Sequence, residues 1–338
     1  MTIRIKKDRI EFDNYTLYET SDGFFFAGQI TACQIQDAFQ GTIAGVATAG
    51  YGTTAPASKR CIISKFPFAN EVNNVADVGC IPTARYYSIG TSSQTHGFDS
   101  TGSLEGSLST ATFRFPFASY GTAISVGDIS WSLYAGSGNS SRENGYIFGG
   151  RCIPTNVAQN RLEKFPFATC ATSVNVASFV GGGREGSAGG NSTQNGYQAG
   201  GSNPPSTSVS PIDKFPFVTD SCSSSVGSLT GGARSRGAGI SSSTHGYIAG
   251  GYNNNFIDKY SFASDANSSN TACLSALGLG GISGGVSSTT NGYTLGGYSP
   301  TLLSYTSCIF KFPFASDTNA SCVASIRECG GVIGGTQD

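Results

Sequence analysis

Histidine is nearly missing from this chain: His96 and His245 are the only two in 338 residues. Imidazole chemistry therefore has little to work with, and no Ser/His/Asp set is identifiable. Both histidines precede a Gly-aromatic pair where sister segments carry Asn, which marks them as turn residues. Charge is scarce as well, at 12% of residues, about half the ordinary share. The formal net charge of −1 removes the electrostatic case for binding nucleic acid or an anionic membrane. No apolar run approaches the roughly 18 residues of a spanning helix, so no membrane insertion is expected. The basic start, Met1 to Arg9, is not followed by the apolar core of a signal peptide, and synthesis in a cytoplasm is the expectation. The ten cysteines include no Cys-x-x-Cys pair and no histidine at ligand spacing, so neither a metal site nor any other cofactor is expected. Reduced, structural cysteines are expected, with Cys222, Cys273 and Cys322 at nearly equivalent repeat positions. A link between Cys61 and Cys308 is open on position alone.

Little charge with 47 Gly resembles disorder in composition, but 15 Tyr and 22 Phe do not. Those rings recur at fixed intervals. Lys-Phe-Pro-Phe stands at 65–68, 164–167, 214–217 and 311–314, with variants Arg114-Phe115-Pro116-Phe117 and Lys259-Tyr260-Ser261-Phe262. The steps from Lys65 to Arg114, Lys164, Lys214, Lys259 and Lys311 are 49, 50, 50, 45 and 52 residues. A second motif keeps the same beat. Asn144-Gly145-Tyr146, Asn195-Gly196-Tyr197, His245-Gly246-Tyr247 and Asn291-Gly292-Tyr293 each run into a Gly pair. His96-Gly97-Phe98 is a degenerate copy, and Gly45 to Tyr51 a worn first copy. Six units of about fifty residues indicate stacked or circular supersecondary structure.

One unit, Arg184 to Ala233, reads as four short strands. Glu185 to Ser192 is a small, Gly-rich strand where backbones crowd. Asn195-Gly196 signals a tight hairpin with positive φ. Tyr197 to Gly201 is the second strand, Pro211 to Phe217 the third and Ser221 to Leu229 the fourth. Four antiparallel strands per unit and no helical periodicity predict an all-β, six-bladed β-propeller over residues 30–338. Alternation puts Asp213, Phe215 and Phe217 on one face of the third strand, with Ile212, Lys214 and Pro216 on the other. The rings Phe66, Phe68, Phe115, Phe117, Phe165, Phe167, Phe215, Phe217, Tyr260, Phe262, Phe312 and Phe314 are therefore expected in the blade core, each wedged into a neighbouring blade. Burial of each Phe is worth about 1.5–3 kcal/mol. Pro inside the motif belongs at a strand end or a bulge. Closure is expected from Gly330 to Gly335 as the innermost strand of the first blade or beside it, unless residues 30–45 take that place.

The order of a small-Gly strand, Gly-Tyr-x-x-Gly-Gly, a polar loop and an aromatic strand resembles the kelch-type propeller. The Gly pair matches that family's double glycine, and Arg184, Arg234 and Arg327 lie near where kelch repeats carry Arg before the innermost strand. The fourth-strand Trp of kelch repeats is absent; Trp131 occurs in one unit only. The pairing of KFPFA with (H/N)GYxxGG also resembles repeat proteins of marine bacteriophages, where such arrays occur on virion and tail-fibre components. That resemblance implies a virion protein made in the host cytoplasm. Its partners would be other virion proteins, copies of itself in a homo-oligomer, and a host-surface glycan or protein.

Residues 1–29 stand apart, with alternation at Thr2 to Lys6, Arg9 to Phe12 and Tyr15 to Tyr18. They read as two or three strands serving attachment and oligomerisation, with Phe24-Phe25-Phe26 in need of cover. Catalysis is not expected. The acids Glu163, Asp213 and Asp258 each precede the third-strand Lys, a pattern for structural salt bridges and not for a convergent pair of carboxylates. Asn-x-Ser/Thr triplets begin at Asn14, Asn139, Asn191, Asn267 and Asn319, but glycosylation needs secretion. Binding is assigned to the loops between second and third strands. Tyr252, Asn253, Asn254, Tyr298 and Tyr305 are the candidate contacts. The leading expectation is a non-enzymatic virion protein, in tail or fibre assembly or host attachment. The alternative is a soluble kelch-like interaction module.

Overall fold

In the computed structural model, described residues are 3–5, 9–12, 15–20, 23–26, 40–52, 58–71, 75–104, 106–152, 155–203, 207–275, 284–299, 304–326, 330–331 and 333–338. They contain strands and no helix. The chain divides into two compact units, Met1–Asp37 and Ala38–Asp338. The first holds a four-stranded antiparallel meander of Ile3–Ile5, Arg9–Phe12, Tyr15–Thr20 and Gly23–Phe26, one strand more than the pattern predicts. The extra strand is the Gly23–Phe26 run, which pairs with Leu17–Thr20.

The second unit is a six-bladed propeller. Blades 2 to 6 each take four strands in chain order, for example Ala188–Asn191, Asn195–Ala199, Pro211–Pro216 and Ser224–Ser228 in blade 4. Blade 1 is assembled from both ends of the unit: Gly334–Gln337 is its innermost strand, beside Ala44–Thr48, Ser58–Pro67 and Ala76–Arg85. The chain's tail thus closes the ring, and residues 44–48 are the second strand. This explains the worn first copy. No hairpin connects the first two strands of blade 1, so nothing there calls for an Asn or His turn.

The innermost strands meet around the axis in two closed circles. One is made of glycine: Gly90, Gly138, Gly189, Gly239, Gly285 and Gly335 follow one another, and a Cβ on any of them would strike the carbonyl of the one before it. The other is a belt of hydrogen bonds two residues further along the strands. The Ser92 N–H donates to Ser140 Oγ at 3.0 Å, and Ser140 N–H to Asn191 Oδ1 at 3.0 Å. Asn191, Ser241 and Ser287 N–H groups donate to Ser241 Oγ, Ser287 Oγ and Gln337 Oε1. Gln337 N–H returns to Ser92 Oγ at 3.0 Å. Inner strand edges would otherwise leave these donors unpaired.

Between blades, the aromatic motif packs as expected. Phe215 and Phe217 of blade 4 close on Tyr146 of blade 3, with ring centroids 5.4 and 5.0 Å apart. Ile212 faces the other way and joins Ile248 and Tyr260 of blade 5. The same three-ring contact recurs at Phe98 with Phe165 and Phe167, Tyr197 with Tyr260 and Phe262, Tyr247 with Phe312 and Phe314, and Tyr293 with Phe66 and Phe68. At the remaining junction Val46 takes the Tyr place, and Tyr120 stacks on Phe115 and Phe117 instead.

The glycine of the Gly-Tyr pair has a different role from the one its sequence suggests. Gly145, Gly196 and Gly292 lie within strands, without positive φ. The hairpin turns one step earlier, where Ser141, Ser192, Ser242 and Ser288 each accept the N–H of the residue three positions on. The glycine instead lies opposite the first Phe of its own blade, as Gly196 does opposite Phe215. A Cβ on Gly292 would sit 2.5 Å from the Phe312 ring. Positive φ belongs to the following Gly pair, for example 62° at Gly200 and 108° at Gly201. Proline ends each third strand that carries it, and the bulge falls earlier, between Ile212 and Asp213 in blade 4.

Two further expectations are corrected. Neighbouring residues on a strand point to opposite faces, so the acids do not pair with the adjacent Lys. Glu163, Asp213 and Asp258 pair with Arg161, Arg184 and Arg234. The lysines reach instead to the next blade: Lys164 to Asp220, Lys214 to Asp265, Lys259 to Asp317 and Lys311 to Glu71. The cysteines are not all reduced. Cys61 bonds Cys80 and Cys308 bonds Cys322, each joining the third and fourth strands of blades 1 and 6. Cys170, Cys222 and Cys273 are free. Arg327 lies outside the described residues.

Phe215→Ala should cost about 3–5 kcal/mol in urea unfolding, and Gly196→Ala about 1–3 kcal/mol by overpacking. The double variant should cost clearly less than the sum, because the ring that the new methyl strikes is gone. Strict additivity would show that Gly196 does not serve the ring. At the closing junction, Lys311 Nζ and the Tyr293 hydroxyl both donate to Glu71 Oε1 at 2.7 Å. Burial alone would raise the Glu71 carboxyl, but these bonds outweigh it and hold it below its ordinary value. A depressed carboxylate stabilises the fold above its unfolded pKa and ceases to do so as pH falls through the lowered value. Glu71→Gln should therefore lose about 1–2 kcal/mol at pH 7. The deficit should close below the carboxylate range, and a deficit independent of pH would refute the latch.

Candidate functional site

The two faces of the propeller differ in chemistry. One carries the hairpins between first and second strands and the turns between third and fourth. These are near-copies of one another and hold the Lys–Asp bridges. The opposite face carries the loops between second and third strands and the links from one blade to the next. Here the units diverge. Small extra hairpins rise from it at Arg151–Cys152 with Val157–Ala158 and at Ser202–Asn203 with Thr207–Ser208. In blade 6 the second and third strands simply run on, pairing Tyr298 with Tyr305.

On this divergent face, tyrosines form a continuous arc. Ring centroids are 5.3 Å apart for Tyr298 and Tyr305, 6.0 Å for Tyr305 and Tyr51, and 5.6 Å for Tyr51 and Tyr86. The series continues at 4.9 Å from Tyr86 to Tyr87 and 5.5 Å from Tyr87 to Tyr134. The arc runs from blade 6 through blade 1 to the link entering blade 3. All six rings are half-buried. Rings in this state show polar edges and apolar faces to solvent together.

Local backbone explains why the links place rings at the mouth of the channel. Just before the inner strands of blades 2 to 5 the chain passes through a left-handed residue: Tyr87 at φ 60°, Ala135 at 54°, Gly186 at 61° and Arg236 at 68°. That bend aims the side chain over the channel mouth, and the blades fill it differently. Tyr87 stands on one side and Arg236 on the other. Burial pushes the Tyr87 phenol up to about 12, against the pull of the Arg236 charge. Burial likewise raises Tyr134 and Tyr305. The phenols are therefore protonated at neutral pH and present O–H donors.

Beneath the mouth lies a cavity of about 100 Å³, lined by Ser88, Ser137, Ser187, Arg236 and the glycine circle. A second, of about 60 Å³, lies on the belt side and shares those glycines. Space of this size holds waters, not a sugar ring. Any larger ligand must sit on the rim.

Of the residues expected to make contacts, Tyr298 and Tyr305 belong to the arc. Tyr252 is exposed, beneath the Arg236 guanidinium at 5.8 Å. Asn253 holds the loop's left-handed φ of 58°. Asn254 is tied inward: its Oδ1 accepts from Arg234 and from the Phe256 N–H, and its Nδ2 donates to the Gly231 carbonyl. Tyr86, Tyr87, Tyr134 and Arg236 were not foreseen because they stand in the links, outside the loops. For Tyr87 and Arg236 the signal was a large side chain where sister links carry Ala135 and Gly186; Tyr86 and Tyr134 stand one residue earlier, where the other links carry Glu185 and Ser235.

Elsewhere, ionisable groups are occupied by structure. Glu163 accepts from Arg161 Nε at 2.9 Å and from Ser130 and Ser173 hydroxyls at 2.7 Å. His96 and His245 begin second strands, each 2.8 Å from the hydroxyl of the preceding Thr. Among the described residues no three His, Cys, Asp or Glu side chains gather where a metal ion would fit. Among the described residues there is also no helix long and apolar enough to cross a membrane. Compared with known proteins, the chain matches no protein family and no curated protein.

Proposed function

We propose that this protein is a non-catalytic recognition propeller that binds its target on the tyrosine-lined face. The observation that carries this reading is the arc from Tyr298 to Tyr134: six half-buried rings in unbroken contact at the mouth. Aromatic rings held by one another lose little entropy on binding and supply much contact area. The repeated face, by contrast, is occupied by inter-blade bridges. The likeness to phage repeat arrays favours a setting on a virion, in a tail or fibre. There residues 1–29 would serve attachment and self-association, and the propeller would meet a host-surface glycan or protein. The Cys61–Cys80 and Cys308–Cys322 bonds suit a protein that works outside a reducing cytoplasm.

The test is a glycan array followed by titration of the hits. Tyr87→Ala and Tyr305→Ala should each weaken binding about tenfold or more, as aromatic anchors do. Incubating the same glycans with the protein should release no shorter product. Tight binding unaffected by both substitutions, or accumulation of cleavage products, would overturn the proposal.

A further inference from the structure

Resting on that reading, the geometry points to a specific ligand class: we propose that the mouth binds an extended polysaccharide carrying carboxylates, with Arg236 as the carboxylate anchor. Three observations converge. The rings form an arc across four successive positions of the mouth, a shape for a chain lying along the face and not for a compact molecule. The cavity below is too small to take a sugar, so the chain stays on the rim. Arg236 lines that same cavity, and its charge opposes the rise of the Tyr87, Tyr134 and Tyr305 phenols.

Arg236 also differs from its neighbours in what it lacks. Arg151 pairs with Glu185 at 3.4 Å, Arg184 with Asp213, and Arg234 with Asp258 at 3.1 Å. Among the described residues Arg236 pairs with no acid; its guanidinium lies over the Tyr252 ring. A guanidinium offers two parallel N–H donors that match a carboxylate. Here it is half-buried, so a carboxylate meeting it is less screened than one on an open surface. The tyrosine O–H groups add donors toward ring hydroxyls. A neutral glycan would use the rings and leave the cation unpaired, whereas a carboxylated one uses both.

The probes are an oligogalacturonate of defined length and its methyl ester, which keeps the sugar rings and removes the charge. Calorimetric titration should show the acid form binding at least about tenfold more tightly than the ester, with the difference shrinking at high salt. Arg236→Gln should reduce acid binding to the ester's level without changing ester binding, and Arg236→Lys should retain part of the preference. Unchanged melting temperatures would exclude misfolding. Equal binding of acid and ester, an Arg236→Gln variant that keeps the preference, or no binding of either probe would overturn the carboxylate proposal. A sulfated dextran captured through Arg236 in place of the galacturonate would overturn it as well. If Tyr87→Ala and Tyr305→Ala abolish ester binding while charge proves irrelevant, the recognition face stands and only the anchor falls. If those variants leave binding of both probes intact, the face itself is wrong.

Discussion

A phenylalanine ring laid over a glycine of its own sheet, and pressed on its outer side by a ring of the preceding blade, is the contact on which this fold depends. Five of the six blades repeat it, with Tyr260 as the ring in blade 5, and in blade 2 Val46 takes the place of the preceding blade's ring. The first ring of the Phe-Pro-Phe motif can lie flat against the sheet only where the partner strand has no Cβ, and Gly45, Gly97, Gly145, Gly196, Gly246 and Gly292 provide that opening. The second ring stands edge-on to the first, at 5.5 Å between Phe215 and Phe217, and stacks on the neighbour's Tyr. Glycine and phenylalanine are thus one feature written on two strands. Their alternation in the chain is a consequence of packing.

Closure follows from the same economy of backbone. Six sheets brought this near one axis leave no room for side chains at the waist, so each inner strand contributes a glycine there. Two residues further, each contributes Ser, Asn or Gln to the belt of hydrogen bonds. Both circles pass through the strand Gly334–Gln337 as through any other. The ring is therefore joined by the same contacts at its seam as elsewhere. The seam also carries its own Lys bridge, to Glu71, and the blades on either side of it are those that hold the disulfides.

Much of this was legible in the chain because repetition reports packing directly. The blade count, the strand order, the outward and inward rings and the closing tail can all be read from Phe66, Gly145 or Gly334 in their places. Other features required neighbours that a linear reading does not show. Asn195-Gly196 carries the signature of a hairpin corner, yet Gly196 answers to Phe215 across the sheet. Lys214 stands beside Asp213 in sequence but turns to the opposite face, toward Asp265 of the next blade. Cys80 and Cys322 meet their partners only because the third and fourth strands lie side by side. The arc was half legible: Tyr298 and Tyr305 fall in a recognisable loop, while Tyr87 and Arg236 gain meaning only when the links of separate blades meet at one mouth.

The contrast between the two faces gives the functional reading its physical basis. On the repeated face, the Ser-capped hairpins and the Lys bridges recur because every blade must solve the same problem. A side chain that departs from the repeat is under no such demand. On the other face the left-handed position before the inner strand holds Tyr87, Ala135, Gly186 and Arg236 in turn, four answers to one backbone geometry. Left-handed φ favours Gly, and placing Tyr or Arg there carries a conformational cost of about 1 kcal/mol or more. Packing does not require either, since the Gly186 link closes its blade without a side chain. Large side chains held at that cost, at the one place where they overhang the channel mouth, are what a binding surface needs and a purely structural ring does not.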